Sequence, residues 1–487
     1  MFVLKVISFS SLVLPEKAKE LIHALASLDT PVFLVGGFIR DMLIDLVSFD
    51  LDFVVVDKDP ENLAKSLSEN FGGHSFLLHD ETKTTRLVLS DQSCSGYTFD
   101  FTGVSKQDLE KDFLRRDFTI NALAVNLKEP NILIDKFSGQ KDLKEKKIRS
   151  VTPENLLDDP LRFLRAFRFA SLINGEIDND TLIFIKINLE HFNNTVASER
   201  ILNELWKLFD NDNSCKYISQ MADIGLLEKI FPELTPTRKV TPNIYHHLWL
   251  FDHSIEMIKI FEESFCKIPK QAKDDLNKPF GALKSPVKKS VAKLASLLHD
   301  IGKPDTWEIK QGDGFEKHTF YGHDKLGSKK IEEISKRLKF SNSISETLSK
   351  LVRYHLRPFQ LSQPGAEITE KALYRFFRDV ENDTTLLLML ALSDLYATCG
   401  PKVTKEDLAN GEKLILFLFD KYFEYKTKKE EKTKKPKLLD GNEIMKLTGL
   451  KPSCQLGDLI KNLDELIATG EITTKEDAVK WALEHKI

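Results

Sequence analysis

The residues with the clearest chemical meaning are two aspartates separated by one apolar position, in Phe49-Asp50-Leu51-Asp52. Strand side chains two apart share a face, so Asp50 and Asp52 project together while Leu51 turns into a core. Two like charges ~6–7 Å apart on a strand repel unless a cation sits between them. A hard dication with oxygen ligands, Mg2+ above all, resolves the repulsion and brings nucleotide phosphates with it. Upstream lies Val35-Gly36-Gly37-Phe38-Ile39-Arg40-Asp41. Gly36 and Gly37 would let backbone N–H groups approach an anion at a helix start, and Arg40, one turn in, could reach a phosphate. A lone Asp-x-Asp is usually only a strand end. The order strand, Gly-Gly turn, helix, Asp-x-Asp strand makes it a candidate metal site, because each part needs the others. Asp100, which alternates with aromatic neighbours in Thr98-Phe99-Asp100-Phe101, is the candidate third carboxylate.

Two arginine clusters follow. Arg115 and Arg116 precede Asp117-Phe118-Thr119-Ile120-Asn121-Ala122. Within one compact domain they can neutralise triphosphate charge. In Asp158-Asp159-Pro160-Leu161-Arg162-Phe163-Leu164-Arg165-Ala166-Phe167-Arg168, Pro160 suits the first turn of a helix, with Asp159 near its N-cap. Arg162, Arg165 and Arg168 then form a row three residues apart, with Leu161, Leu164 and Phe167 turned to a core. Such a stripe is often a solvated face; its functional version presents a fixed donor and acceptor pattern to a base. Further on come His253, the adjacent His299-Asp300, His323, His355 and Asp394. A lone histidine on a helix is usually structural, but six ordered residues of metal-ligand type are not a lone histidine.

These residues need elements to position them. Helical spacing runs from about residue 16 to 28, and Val32–Val35 is a short strand ending in the Gly-Gly turn. A helical piece follows over Phe38–Leu46. The stretch Phe49–Val56 alternates and then becomes fully apolar, as a buried strand does. Thr85–Leu89 and Tyr97–Phe101 are further strands, giving a small sheet flanked by helices. Beyond residue 150 the period is 3.6 and the chain reads as almost all helical. Lys267–Lys289 and Lys426–Lys437 read as soft connecting segments, and no fixed-period repeat occurs.

The chain has 487 residues, of which 41% are hydrophobic and 30% charged, so it is long enough for about three domains and is neither collagen-like nor disordered. Its formal charge of -4 excludes a uniformly basic coat but leaves room for a local basic surface. The five cysteines are scattered, which predicts a reducing compartment and a cytoplasmic protein. The opening MFVLKVISFSSLVLPEK lacks the marks of a signal, and no run of ~18 apolar residues would span a membrane.

Taken together, Gly-Gly-x-x-Arg-Asp, Asp-x-Asp, Arg-Arg-Asp-Phe-Thr-Ile-Asn-Ala and Asp-Asp-Pro-Leu-Arg-x-Leu-Arg-x-x-Arg-Phe resemble the bacterial (class II) tRNA nucleotidyltransferase and poly(A) polymerase family. Ser198-Glu199-Arg200 with Glu204 resembles its next helical motif. The resemblance implies an α+β fold, with a polymerase-beta-type sheet domain followed by all-helical domains. It implies a head over 1–150, a helical neck and body over 151–240, an HD-type domain over 241–400 and a helical tail over 401–487 that contacts tRNA. Asp50 and Asp52 would hold the catalytic Mg2+, and Gly37, Arg40 and Arg116 would bind the triphosphate. Asp159 and Arg162 would read the Watson–Crick edge of CTP or ATP, with Arg165 and Arg168 nearby. The expected activity is addition of cytidines, CC or the full CCA, to tRNA 3′ ends with release of pyrophosphate and no nucleic-acid template; poly(A) polymerase is the alternative within the family. Only 14 residues (FTGVSKQDLEKDFL) separate Asp100 from Arg115. Members that add the whole CCA end usually carry a longer loop there, so the short one resembles CC-adding members, which need a separate A-adding enzyme acting on the same tRNA. The eight lysines of Lys421–Lys437 are a solvated linker or a contact with tRNA phosphates.

The second constellation resembles HD-type phosphohydrolases. By position His253, His299, Asp300 and Asp394 match the core metal set, and His323 and His355 match positions that add a second metal or contact phosphate. Mixed imidazole and carboxylate ligation suits Mn, Fe, Co or Ni more than Mg. A metal-bound water would attack a phosphoester. A further alternative is therefore an RNA-binding protein whose main activity is this hydrolysis.

Overall fold

The computed structural model describes residues 14–79, 83–192, 196–281, 285–311, 316–361, 367–433 and 437–485. The opening apolar stretch therefore falls mostly outside the described residues. The chain divides into two compact units, Met1–Asn211 with Gln220–Lys229, and Asp212–Ser219 with Ile230–Ile487.

The first unit is built on a seven-stranded sheet. Its strands are β1 (Val32–Val35), β2 (Asp50–Val56), β3 (Gly73–His79), β4 (Thr84–Leu89), β5 (Thr98–Val104), β6 (Leu123–Asn126) and β7 (Leu133–Asp135), in the order β3-β4-β5-β2-β1-β6-β7. Only the central β2/β5 pair is parallel; its register sets Asp50 opposite Thr98 and Asp52 opposite Asp100. The pleat sorts β2 into two faces. Leu51, Phe53 and Val55 enter the main core with Phe99 and Phe101, beside the helices Glu16–Ala26 and Pro60–Phe71. Val54 and Val56 point the other way, into a smaller core with Phe33, Val35, Phe113 and Ala124. Asp50 and Asp52 share that second face but lie at the strand's open end, where Asp50 is exposed and Asp52 half-buried.

The expected helix and strand elements of the head are present, with β3, β6 and β7 in addition. Phe38–Leu46 is a shorter helix, Gly37–Leu43. After the sheet the unit is mostly helical, with a short parallel pair, Lys147–Ile148 with Glu176–Ile177, and the arginine-bearing helix spans Leu161–Ile173.

Among its described residues the second unit is helical apart from an antiparallel hairpin, Glu308–Gln311 with Glu316–Thr319, that a purely helical reading misses. Two more expectations need correction. Lys267–Lys289 contains a helix, Lys270–Leu276, which buries Ala272, Asp275 and Leu276, although residues 282–284 lie outside the described part. The lysine-rich stretch from Lys426 is not a linker at its start: the helix Lys405–Thr433 runs through it, since Lys and Glu are good helix formers. No described helix is long and apolar enough to cross a membrane.

Candidate active site

The head site is a cluster of three carboxylates answered by arginines. Asp50 accepts a hydrogen bond from Thr98 Oγ1 at 2.7 Å, which fixes it at the strand end. Asp100 is gripped by Arg86 of β4, Nε to Oδ1 and Nη2 to Oδ2, both at 2.8 Å. Asp52 lies between them. Its pKa is pushed up to about 6, chiefly by burial and then by the charges of Asp100 and Asp50, with Arg116 opposing. A carboxylate held in that condition beside two others calls for a cation, so the donor set fits a divalent metal. Asp100 stands beside the pair as expected, but both its oxygens are already engaged by Arg86.

The Gly-Gly turn has one glycine that must be glycine. Gly36 has φ +77°, and a Cβ there would lie 3.3 Å from both Arg116 Nη1 and Asp52 Oδ2. The turn, an acidic ligand and a basic group therefore converge on one point. Its own N–H is spent on Leu123 O at 3.2 Å. Gly37 has no positive φ, and its Cβ would meet the Arg40 side chain at an ordinary 3.4 Å.

Arg116 donates to Asp112 Oδ2 at 3.0 Å and to Asn121 O at 3.3 Å, while its buried Nε finds no partner among the described residues. Arg40 differs from the expectation that it opens toward a phosphate. It is buried, donates to Asp41 Oδ1 and to Asn121 Oδ1 (2.6 Å), and lies over the Phe169 ring. The arginine stripe is likewise not a free face. Arg165 makes a double contact with Asp117 Oδ2 at 2.9 and 2.6 Å, and Arg168 donates to Glu204 Oε2 at 2.7 Å. Burial pushes Arg168 down to about 10 against the pull of Glu204. Burial would raise Asp117, but Arg165, Asn121 and the Phe118 amide hold it down at about 2. Both arginines brace the unit around Phe169. Asp159 and Arg162 are half-buried at the start of the helix. Arg86, Asp112, Asp117 and Asn121 are the site residues that motif reading left without a role; the last two stand inside the quoted Arg-Arg-Asp motif.

The second unit brings together all six of its expected residues. His253 lies on the helix Leu250–Ser264, His299 and His355 cap helix C-termini, His323 opens Gly322-capped His323–Leu338, and Asp394 lies on Thr384–Ala397. They form two adjoining triads, His253/His299/Asp394 and Asp300/His323/His355, each with ligand atoms within 4.8 Å of one another. The tautomers follow from the partners. Nδ1 of His299, His323 and His355 lies 2.9, 2.7 and 2.7 Å from the carbonyls of Ser296, Phe320 and Val352, and only an N–H can bond a carbonyl. Burial keeps His355 neutral, its pKa pushed down to about 4. The Nε2 lone pairs of His323 and His355 therefore face each other 3.2 Å apart, with Asp300 Oδ1 at 3.4 and 3.6 Å. His299 Nε2 lies 3.1 Å from Asp300 Oδ2 and His253 Nε2 lies 3.4 Å from Asp394 Oδ1, so the remaining imidazole nitrogens face carboxylate oxygens. Imidazoles fixed by carbonyls, with carboxylates between them, fit bound metal ions. Two neighbours lacked an assigned role: Lys303, whose ammonium contacts Asp300 Oδ2, and His246, whose ring centroid lies 4.9 Å from that of His253.

This geometry defines a nucleotidyltransferase-type head in a chain that also carries an HD metal-ligand cluster. Comparison with known proteins agrees. Residues 32–149 match the Poly A polymerase head domain, 176–237 the Probable RNA and SrmB- binding site of polymerase A, and 250–398 the HD domain. The chain is 29% identical over 462 residues to the A-adding tRNA nucleotidyltransferase of Deinococcus radiodurans, covering 93% of this chain and 95% of that one. It is 28% identical over 456 residues to the CC-adding tRNA nucleotidyltransferase of Thermus thermophilus, covering 93% of each. It is 30% identical over 339 residues to the Multifunctional CCA protein of Neisseria gonorrhoeae, covering 68% of this chain and 75% of the relative. The fold is that of a Thermotoga maritima CCA-adding enzyme complexed with tRNA, with a TM-score of 0.62, 21% identity and 99% coverage of both chains. The chain belongs to the tRNA nucleotidyltransferase family and is an enzyme of that class.

The raised pKa of Asp52 has a stability consequence. The unfolded chain releases this proton near pH 4, whereas the folded chain keeps it until about 6. Folding stability is thus lost as pH rises through that window, by up to about 3 kcal/mol at 1.36 kcal/mol per pKa unit. In metal-free buffer at pH 7.5, Asp52→Asn should raise the unfolding midpoint of the head, and the gain should shrink toward zero below pH 4. Calorimetry across pH checks it.

Proposed function

We propose that the head adds cytidines from CTP to the 3′ end of tRNA and stops after CC, leaving the terminal A to a second enzyme. The carrying observation is the convergence of Asp50, Asp52, Gly36 and Arg116 at one strand end. In this reading a tRNA 3′ hydroxyl attacks the α-phosphate and pyrophosphate leaves. A divalent ion, Mg2+ by its preference for oxygen ligands, would lower the hydroxyl pKa and offset phosphate charge there. Asp50 and Asp52 would hold that ion, and Arg116, with its unpartnered Nε, would take triphosphate charge. Asp159 would accept from the exocyclic amine of cytosine, and Arg162 would donate to its ring acceptors. Uracil and guanine offer a carbonyl where the amine should be and are rejected.

The relatives described above carry A-adding, CC-adding and CCA names, so terminal specificity rests on the connection after Asp100. That segment is the rest of β5, a turn and the helix Leu109–Leu114, with no spare loop. Incubating the pure enzyme with tRNA lacking its 3′ end, plus CTP and ATP, should give products two nucleotides longer that end in C. Efficient terminal A incorporation would contradict the CC-only reading and leave the family assignment standing.

The second unit supports a metal-dependent phosphodiesterase or phosphatase, with Mn, Fe, Co or Ni favoured by its nitrogen-rich ligands. Two adjoining triads of imidazole nitrogens and carboxylate oxygens, each within 4.8 Å, favour this activity over a purely structural cluster. Such an ion would supply a water of lowered pKa; the chain supplies imidazoles held in one tautomer. His299→Ala with Asp300→Ala should abolish hydrolysis of a phosphodiester by the Mn2+-loaded enzyme and leave CTP incorporation intact. Undiminished hydrolysis refutes the assignment.

A further inference from the structure

The base-reading pair Asp159/Arg162 does not stand by itself. Asp159 has φ −146° and ψ 95° and follows the one-turn helix Asn155–Asp158. Its carboxylate accepts from Arg200 of the helix Ser198–Phe209, Nη2 to Oδ2 at 2.6 Å and Nη1 to Oδ1 at 3.3 Å. Among the described residues its one other donor is weak, Leu161 N to Oδ1 at 3.3 Å. A carboxylate has about four acceptor positions, so a guanidinium along one edge fixes its plane and leaves the others for a ligand. On the other side, Arg162 Nη1 donates to the backbone carbonyl of Asn155 at 2.6 Å. The Asn155 side chain spends its two N–H groups on the carbonyls of Leu114 (2.5 Å) and Arg116 (3.0 Å). The residue that anchors the base-reading arginine is therefore tied directly to the backbone of the triphosphate arginine.

We propose that Arg200 and Asn155 are positioning residues for nucleotide selection. Arg200 sets the plane of the Asp159 carboxylate, and Asn155 sets the distance between the base-reading pair and the phosphate-binding turn at Arg116. The inference rests on the reading that Asp159 and Arg162 recognise the base. Its physical logic is discrimination by geometry. An amine and a carbonyl at the same place on a pyrimidine are told apart only if the acceptor cannot rotate away from the repulsive one. Likewise, a base and a triphosphate joined by one sugar can be matched together only if their two binding elements keep a fixed spacing.

The test measures kcat and KM for CTP and for UTP on tRNA lacking its 3′ end, with wild type, Asp159→Ala, Arg200→Ala, Arg200→Lys and Asn155→Ala. The Arg200–Asp159 pair is partly exposed, so its loss should cost CTP-over-UTP discrimination about three- to tenfold, the range for one well-formed but hydrated ion pair. Most of the change should lie in KM for CTP. Arg200→Lys should not restore discrimination, because an ammonium cannot fix a plane. Asn155→Ala should lower discrimination similarly and raise KM for both nucleotides, because the triphosphate turn loses its tie. Melting curves within a degree or two of wild type exclude unfolding, and Arg200 is exposed enough for its replacement to fold. If Asp159→Ala keeps wild-type discrimination, the base-reading pair itself is wrong. If Asp159→Ala loses it while the Arg200 and Asn155 variants keep it, the positioning proposal is overturned. Tighter CTP binding by Arg200→Ala with discrimination intact also overturns it, because Arg200 would then be a competitor for Asp159 and not its brace.

Discussion

The head depends on a charge conflict placed at the end of a buried strand. Asp50 and Asp52 share a face because a pleat repeats every two residues, and the parallel β2/β5 register brings Asp100 level with Asp52. Three carboxylates in so small a space oppose folding. Arg86 neutralises Asp100 on one flank and Arg116 offsets Asp52 on the other, yet Asp52 remains hard to ionise. The residual repulsion is what a divalent ion relieves, so affinity for the ion is stored in the fold as destabilisation of the ion-free site.

The arginines illustrate how a motif can be right in membership and still conceal its roles. Arg40, Arg165 and Arg168 stand where a phosphate- or base-binding stripe was expected, but they ring Phe169 and pair with Asp41, Asp117 and Glu204. Arg116 differs: its Nη1 faces the Gly36 turn beside Asp52, and its Nε has no partner among the described residues. The partners of Arg165 and Arg168 lie 48 and 36 residues away in sequence, so helical spacing alone could not reveal that their charge is used internally.

Legibility followed the strength of local pattern. The Asp-x-Asp strand was readable because alternation gives way to a fully apolar run, and the cluster of the second unit was readable because histidine is scarce, with 12 in the chain, and four of them recur in order with two aspartates. β6 and β7 were not: Leu123–Asn126 and Leu133–Asp135 are too short for a period to emerge. The hairpin of Glu308–Gln311 and Glu316–Thr319 is polar on both strands and is held by backbone pairing that composition does not record. The lysine-rich end of the helix Lys405–Thr433 is hard to tell from a soft segment in sequence, because its charge run hides the helix propensity of Lys and Glu. Arg86, Asn155 and Lys303 were invisible because each acts through a partner that only the fold supplies.

The account turns on a divalent ion held by Asp50 and Asp52, and Mn2+ binding followed by electron paramagnetic resonance tests it most directly. The His299→Ala/Asp300→Ala protein removes the competing cluster and should retain one Mn2+ site that weakens as pH falls through about 6, where Asp52 takes up its proton. Adding Asp50→Asn and Asp52→Asn to that protein should abolish the site. Mn2+ binding that survives those two substitutions unchanged would contradict the account.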